Sequence, residues 1–274
     1  MRKYIKKQIL KTIKTLFEAN RLLSKLIKKN SMYKINTLLQ DMQATVIEVG
    51  EIIEKSLGEG TEAVCFLEAL CELIWEVSQS PVDGKRQWYK EINNKLGFIE
   101  ENVKSIPEKI EVVFLPYKAS MWDSLESIWQ AADEDKSCDA FVIPIPYYDK
   151  NPDGSLKEVH YEAEEYPAYV QITHYNDYDF KQHHPDMIFI HNPYDECNFV
   201  TSVHPFFYSS NLIQFTDLLV YIPYYILHEI LPEDKVAVKN IQHFCTVPGV
   251  FNADKVIVQS ESMRRVYINV LTDA

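Results

Sequence analysis

The sequence predicts a doubly wound α/β domain with a parallel sheet, preceded by an α-helical bundle or coiled-coil region. Two observations predict it. Residues 1–105 contain a single proline, Pro81, and repeat their apolar residues at helical spacing. From Pro107 onward, short apolar runs rich in β-branched residues alternate with helical segments. That alternation is the pattern of parallel strands covered on both faces. The chain therefore divides into a helical region, 1–106, and one α/β domain, 107–274.

The elements follow in order. "RKYIKKQILKTIKTLFEANRLLSKLIKK" places Ile5, Ile9, Ile13, Leu16, Leu23 and Ile27 on one helical face. Lys3, Lys7, Lys11, Lys14, Arg21, Lys25 and Lys28 fall on the opposite face. A second helix, "INTLLQDMQATVIEVGEIIEKSL", stops near Gly58 and Gly60, and a third runs from Thr61 to the break at Pro81. A fourth extends from about Gly84 to Val103. Then "KIEVVFLPY", "CDAFVIPIPYYD", "DMIFIHNP", "DLLVYIPYY" and "ADKVIVQ" read as strands, with a helix at "SMWDSLESIWQAADED" and another at the carboxyl end. In such sheets ligands bind beyond the carboxyl ends of the strands. If the strands are parallel neighbours, the loops "PYKASMWD", "PIPYYD" and "HNPYD" converge on one edge.

Composition narrows the function classes. No uncharged apolar run reaches the roughly 18 residues of a spanning helix, and the N-terminus lacks a secretory h-region. The five cysteines form no C-x-x-C pair, which points to free thiols in the reducing cytoplasm. Residues 1–29 hold ten basic residues and one acid, a local charge of +9, while the other 245 carry 18 basic and 39 acidic residues, or −21. A Lys-rich amphipathic helix suits an anionic membrane surface. It equally suits packing on acidic helices, and residues 41–80 hold nine acids with Lys55 the one base. We favour packing in a bundle, with surface attraction second and self-association through the helices open. Nucleic acid does not fit so acidic a chain.

Three constellations carry possible chemistry. In "YKASMWDS", Ser120 and Asp123 have N-cap and N3 spacing, and Lys118 stands just before the helix start. The exposed amides and the lysine make an anion site for a phosphate. A plain capped helix with a solvated lysine has the same signature. In "HNPYDEC", His191 is a candidate general base, and Asp195 would orient it or accept a substrate hydroxyl. The alternative is a turn in which Asn192-Pro193 ends the strand and Asp195 caps a helix. Asn192, Tyr194 and His204 add polar and aromatic groups for substrate binding. Six histidines crowd residues 160–204 beside Asp177, Asp179, Asp186 and Cys197, but none has H-x-x-x-H or H-E-x-x-H spacing, so no metal is expected. No G-x-S-x-G or Gly-rich nucleotide loop is present, and no cofactor is expected.

Several long segments carry a resemblance: "VVFLPYKASMWDSLESIW", "CDAFVIPIPYYDKNPDGS", "HPDMIFIHNPYDECNFVTSVHPFFYS", "DLLVYIPYY" and "HFCTVPGVFNADKVIVQSESMR". Over about residues 108–274 the chain resembles the N-terminal half of CDP-glycerol glycerophosphotransferase-like proteins, which are related to teichoic acid polymerases. The resemblance implies a glycosyltransferase-B architecture of two Rossmann-like domains. It implies transfer of glycerol phosphate from CDP-glycerol to a polyol-phosphate or glycan hydroxyl, with release of CMP, at the inner membrane face. The N-terminal domain would handle the acceptor and the C-terminal domain, expected to be absent here, the donor. This chain alone is then expected to be inactive. The family's loop histidine, in a His-Gly-Thr-Pro pattern, is the expected base. Its match here is His243 in "QHFCTVPG", where the glycine is missing, so His191 remains a competitor. Two other readings stay open: a sugar-nucleotide glycosyltransferase or epimerase of the same fold, and a non-catalytic interaction module.

Overall fold

The computed structural model describes residues 1–80 and 85–273. The chain divides into two units, Met1–Glu108 and Lys109–Ala274, each with its own core.

The first unit is an antiparallel arrangement of α1 (Lys3–Lys28), α2 (Met32–Leu57), α3 (Glu62–Gln79) and α4 (Lys85–Ser105), in which α1 also packs on α4. Short connections of polar and Gly residues allow this up-and-down path. The expected break at Pro81 and start at Gly84 lie outside the described residues. Buried positions step alternately by three and four residues: 6, 9, 13, 16, 20, 23 and 27 on α1, then 35, 39, 42, 46, 49 and 53 on α2. This is the heptad spacing of a coiled-coil seam. It explains why the apolar face of α1 is consumed internally while Lys7, Lys11, Lys14 and Lys25 face solvent.

Two seam positions of α1 are polar. Lys6, almost fully buried, donates to the carbonyls of Lys104 and Ile106, both at 2.8 Å, and pairs with Glu108 at 3.2 Å. An ammonium thus caps the carboxyl end of α4, where orphan carbonyls and the helix dipole favour a cation. Asn20, fully buried, donates to the Tyr89 carbonyl at 3.0 Å, and a polar seam residue of this kind selects one register. Among the described residues no helix is long and apolar enough to cross a membrane.

The second unit is α/β. Its sheet contains β1 (Ile110–Leu115), β2 (Cys138–Val142), β5 (Met187–Ile190), β7 (Leu219–Tyr221) and β8 (Lys255–Val256), all parallel, in the order β2-β1-β5-β7-β8. These are the five strands expected from the sequence. Alternation sends Val113, Leu115, Ile188, Ile190, Leu219 and Tyr221 to one core. Val112, Phe114, Phe189 and Val220 go to the other, under Trp122, Leu125 and Trp129 of α5 (Asp123–Glu134) and its approach. Phe114 and Phe189 stack at 5.0 Å across adjacent strands.

A second sheet, absent from the sequence-based expectation, is inserted between these strands. It is antiparallel, with β3 (Tyr147–Lys150) between β4 (Leu156–His160) and β6 (Thr201–Val203). Its strands are short, and β4 is mostly exposed, so they lack the apolar runs that mark the main sheet. The short α6 (Phe180–His183) and α7 (Ser209–Leu212) lead into β5 and toward β7, and α8 (Lys235–Cys245), α9 (Pro248–Asn252) and α10 (Glu261–Asp273) complete the unit.

Replacing Lys6 by Met keeps the aliphatic stem and removes the cap of α4. The expected outcome is a loss of roughly 1.5–3 kcal/mol in urea unfolding, the range for hydrogen bonds to a charged group. An unchanged midpoint would mean that water caps α4 equally well.

Candidate functional site

In chain order the parallel strands lie second-first-third-fourth-fifth. The strand order reverses between β1 and β5, and the crevice beyond the carboxyl ends of those two strands is the ligand site of such sheets. "PYKASMWD" and "HNPYD" are the loops that leave β1 and β5 there.

Tyr117 is the hub of this edge. Its ring meets Tyr147 at 5.5 Å, His191 at 5.2 Å and Tyr224 at 6.2 Å, so the loops after β1, β2, β5 and β7 do converge. Its backbone N–H donates to His191 Nε2 at 3.1 Å. The imidazole proton therefore sits on Nδ1, which faces Ser124 Oγ at 3.1 Å, while Ser124 donates to the Met121 carbonyl at 2.8 Å. His191 is fully buried, and burial pushes its imidazole down to about 3 against a smaller upward pull from the Met121 backbone. The lone pair that a general base needs is already used by an amide. His191 here is a neutral strut between two loops.

The rest of "HNPYDE" is also structural. Gly249 N–H donates to the Pro193 carbonyl at 2.8 Å, and a Cβ on Gly249 would lie 2.8 Å from Pro193 Cα, so only glycine lets α9 approach the loop this closely. Asp195 adopts φ +44°, which Asp tolerates better than most residues. Its buried carboxylate accepts from Ser209 N at 2.9 Å and Ser209 Oγ at 2.6 Å. Burial pushes that carboxyl up, and the Ser209 and Ser210 bonds partly restore it. Asp195 thus caps the start of α7 and does not touch His191 among its hydrogen bonds. Asn192 is half-buried in the loop.

The expected anion site at Lys118 is differently built. Ser120 is exposed within a turn of 3-10 helix at Ala119–Met121, and α5 begins at Asp123 behind Trp122, with no side-chain cap. The capping box is therefore not formed, because the extra turn shifts Ser120 away from the helix start. The Ala119 N–H donates to the protein's own Glu162 Oε2 at 2.8 Å. Glu162 Oε1 also accepts from Tyr147 Oη at 2.6 Å. Lys118 Nζ lies over the Tyr147 ring at 4.9 Å and the Tyr117 ring at 5.8 Å. A lysine held over two rings is a positioned cation at the crevice.

Behind it runs a chain of phenols. The Tyr224 ring meets those of Tyr117 at 6.2 Å and Tyr225 at 5.2 Å, and the Tyr225 hydroxyl lies 3.4 Å from that of Tyr221. Burial pushes Tyr117, Tyr194 and Tyr224 up to about 12, so they remain neutral donors near neutral pH. His243 lies in the last turn of α8, exposed, and not in a loop. Its ring packs on Phe244 at 4.0 Å, and Phe244 packs on Tyr225 at 5.0 Å, which brings the histidine beside the phenol chain.

His204 stands elsewhere, on the rim of a cleft of about 660 Å³ lined mostly by rings, among them Tyr148, Tyr175, Phe206 and Phe215, with Asn176, Asp179 and Lys181 as polar groups. That volume suits a small-molecule ligand. Tyr148 lines this cleft, Tyr194 is half-buried in the loop after β5, and Tyr208 bonds Ser202 Oγ at 2.8 Å. Glu162, Tyr147 and Tyr224 were missed by the sequence reading. Their only local signal is a surplus of Tyr and Glu in the segments that hold them.

No protein-family model, curated protein or solved structure matches this chain.

The pH dependence of His191 follows from its burial. Unfolded, it takes up a proton near pH 6.5, and folded only near 3. Its contribution to stability is complete above the unfolded value and is lost as pH falls through that window, on the order of a few kcal/mol. We expect ¹⁵N NMR to show a neutral Nδ1–H imidazole down to pH 4. Unfolding free energies of wild type and His191→Gln should converge between pH 7 and 4. An imidazole that titrates normally contradicts this assignment.

Proposed function

We propose that residues 109–273 form the acceptor-side domain of a transferase that moves glycerol phosphate from CDP-glycerol to a hydroxyl of a polyol-phosphate or glycan, in teichoic-type cell-wall polymer synthesis. In the glycosyltransferase-B architecture the CDP-glycerol would be held by a second Rossmann-like domain. The observation that carries the reading is the place of Lys118. The strand order puts it at the switch-point crevice, inside one of the segments on which the resemblance rests, and two tyrosine rings hold its ammonium there. Phosphoryl transfer depends largely on positioning and on cations near the transferred group.

Within this reading the roles are redistributed. His191 has no lone pair to offer, so the base that takes the acceptor proton is His243, which is exposed and adjoins the phenol chain through Phe244 and Tyr225. An acceptor phosphate would meet Lys118 and displace Glu162 from the Ala119 amide. The aromatic cleft beside His204 suits the acceptor's sugar or polyol units, since rings cover C–H faces while Asn176, Asp179 and Lys181 can bond hydroxyls.

The test is CMP release from CDP-glycerol by the intact protein with a lipid-linked polyol-phosphate or glycan acceptor. We expect acceptor-dependent CMP, a drop of 10²–10⁴-fold in kcat with His243→Ala, and a raised acceptor KM with Lys118→Ala. Release of another nucleotide would point to a sugar-nucleotide enzyme of the same fold. No release from any nucleotide-glycerol or nucleotide-ribitol donor would favour a non-catalytic interaction module.

The helical unit supports peripheral attachment to an anionic inner membrane face by charge alone, because the apolar stripe of α1 is buried while Lys7, Lys11, Lys14, Lys25 and Lys28 are exposed. Replacing Lys11, Lys14 and Lys25 together by Gln should weaken sedimentation with phosphatidylserine vesicles by about 1 kcal/mol per lysine. Binding that is unaffected by the triple substitution, or insensitive to salt, would exclude this role.

A further inference from the structure

The inserted hairpin carries a group of side chains that the transferase reading does not use. Asp149 on β3 and Glu158 and His160 on β4 offer one ligand atom each, and these atoms all lie within 4.8 Å of one another. From this geometry we infer that the hairpin binds a divalent first-row cation such as Mn²⁺ or Zn²⁺. The inference rests on the hairpin alone and stands whether or not the transferase reading holds.

The backbone explains how three ligands meet. Tyr147 pairs with His160 and Tyr148 with Val159, but Lys150 then pairs with Leu156. Two steps along β3 thus match three along β4, so β4 holds one extra residue opposite Asp149. Such a bulge re-aims side chains, and bulges are over-represented beside functional sites. The pairing puts His160 on the same face as Tyr147, and alternation adds Asp149 and Glu158 to that face. Tyr148 points the other way, into the aromatic cleft.

The chemistry fits a cation. Two carboxylates and one neutral imidazole supply two negative charges to a doubly charged ion. His160 Nε2 lies 3.0 Å from Asp149 Oδ2. Adjacent ligands at the usual metal distance of about 2.1 Å are themselves roughly 3 Å apart. Glu158 is exposed, and its carboxylate oxygen lies within 4.8 Å of the other two ligand atoms. Outside the triad, His160 stacks on Tyr147 at 4.9 Å with rings 23° apart, and Glu162 fixes the Tyr147 hydroxyl. This holds the imidazole plane as outer contacts do around metal-bound histidines. Three protein ligands from one face leave further positions for water or substrate, as in catalytic rather than structural sites. The mixed oxygen and nitrogen set suits Mn²⁺ or Zn²⁺ better than Ca²⁺.

The experiment uses the whole chain after treatment with a chelator. Mn²⁺ is titrated while its free EPR signal is followed, and Zn²⁺ is titrated by calorimetry. We expect one saturable site per chain and a rise in melting temperature with metal. His160→Ala and Asp149→Asn should weaken binding at least tenfold, and Glu158→Gln should weaken it less. His204→Ala, in the neighbouring cleft, should leave it unchanged. If His160→Ala disturbs the fold by exposing Tyr147, the exposed Glu158 carries the test, and circular dichroism checks each variant. Absence of a saturable site for both ions, or binding indifferent to Asp149→Asn and Glu158→Gln, overturns the proposal.

Discussion

The hydrogen bond from the Tyr117 amide to His191 Nε2 is the constraint on which the carboxyl edge of the sheet depends. It closes the loops after β1 and β5 across the point where the strand order reverses. A neutral imidazole is required, since a protonated one could not accept from an amide. Burial keeps it neutral. With that contact made, the Tyr117 ring is placed against Tyr147 and Tyr224, and Lys118 follows immediately in the chain, over the same rings. The loop continues to Pro193, tied to Gly249, and to Asp195, tied to Ser209, which Asn252 also bonds at 2.9 Å. The β5 side of the crevice is therefore tied by hydrogen bonds to Tyr117, Gly249 and Ser209.

The inserted sheet works by the strand's period of two. Consecutive residues Tyr147 and Tyr148 serve opposite faces: one carries Lys118 and His160, the other lines the aromatic cleft. Glu162 links these parts by holding both the Tyr147 hydroxyl and the Ala119 amide. A carboxylate of the protein itself thus satisfies that amide. Any anion arriving there competes with a group that is covalently part of the site.

The helical unit follows simpler rules. Its seam repeats every seven residues, so short connections and apolar burial suffice to assemble it. Lys6 and Asn20 interrupt the apolar seam and each finds a backbone carbonyl. A buried polar group with a partner selects one register among several that apolar packing alone would tolerate.

The sequence by itself determined the four helices of the first unit, the five parallel strands and the segments at their carboxyl ends. Each is written in local periodicity: heptads in α1 and α2, and uninterrupted apolar runs such as "EVVFL" and "MIFI". It did not determine the antiparallel sheet, whose exposed β4 carries no apolar alternation, nor the roles within the loops. "HNPYDE" suggested reactive chemistry because His and Asp are chemically versatile. Whether a lone pair is free depends on what packs against it, and the amide of Tyr117, 74 residues away, occupies that of His191. Glu162 reaches Ala119 over 43 residues, and Asp149 meets His160 through the pairing of β3 with β4. Local patterns encode which residues are buried and extended. Which polar atoms meet is settled by long-range packing, because hydrogen bonds and ligand sets depend on distances of a few tenths of an ångström that no spacing along the chain specifies.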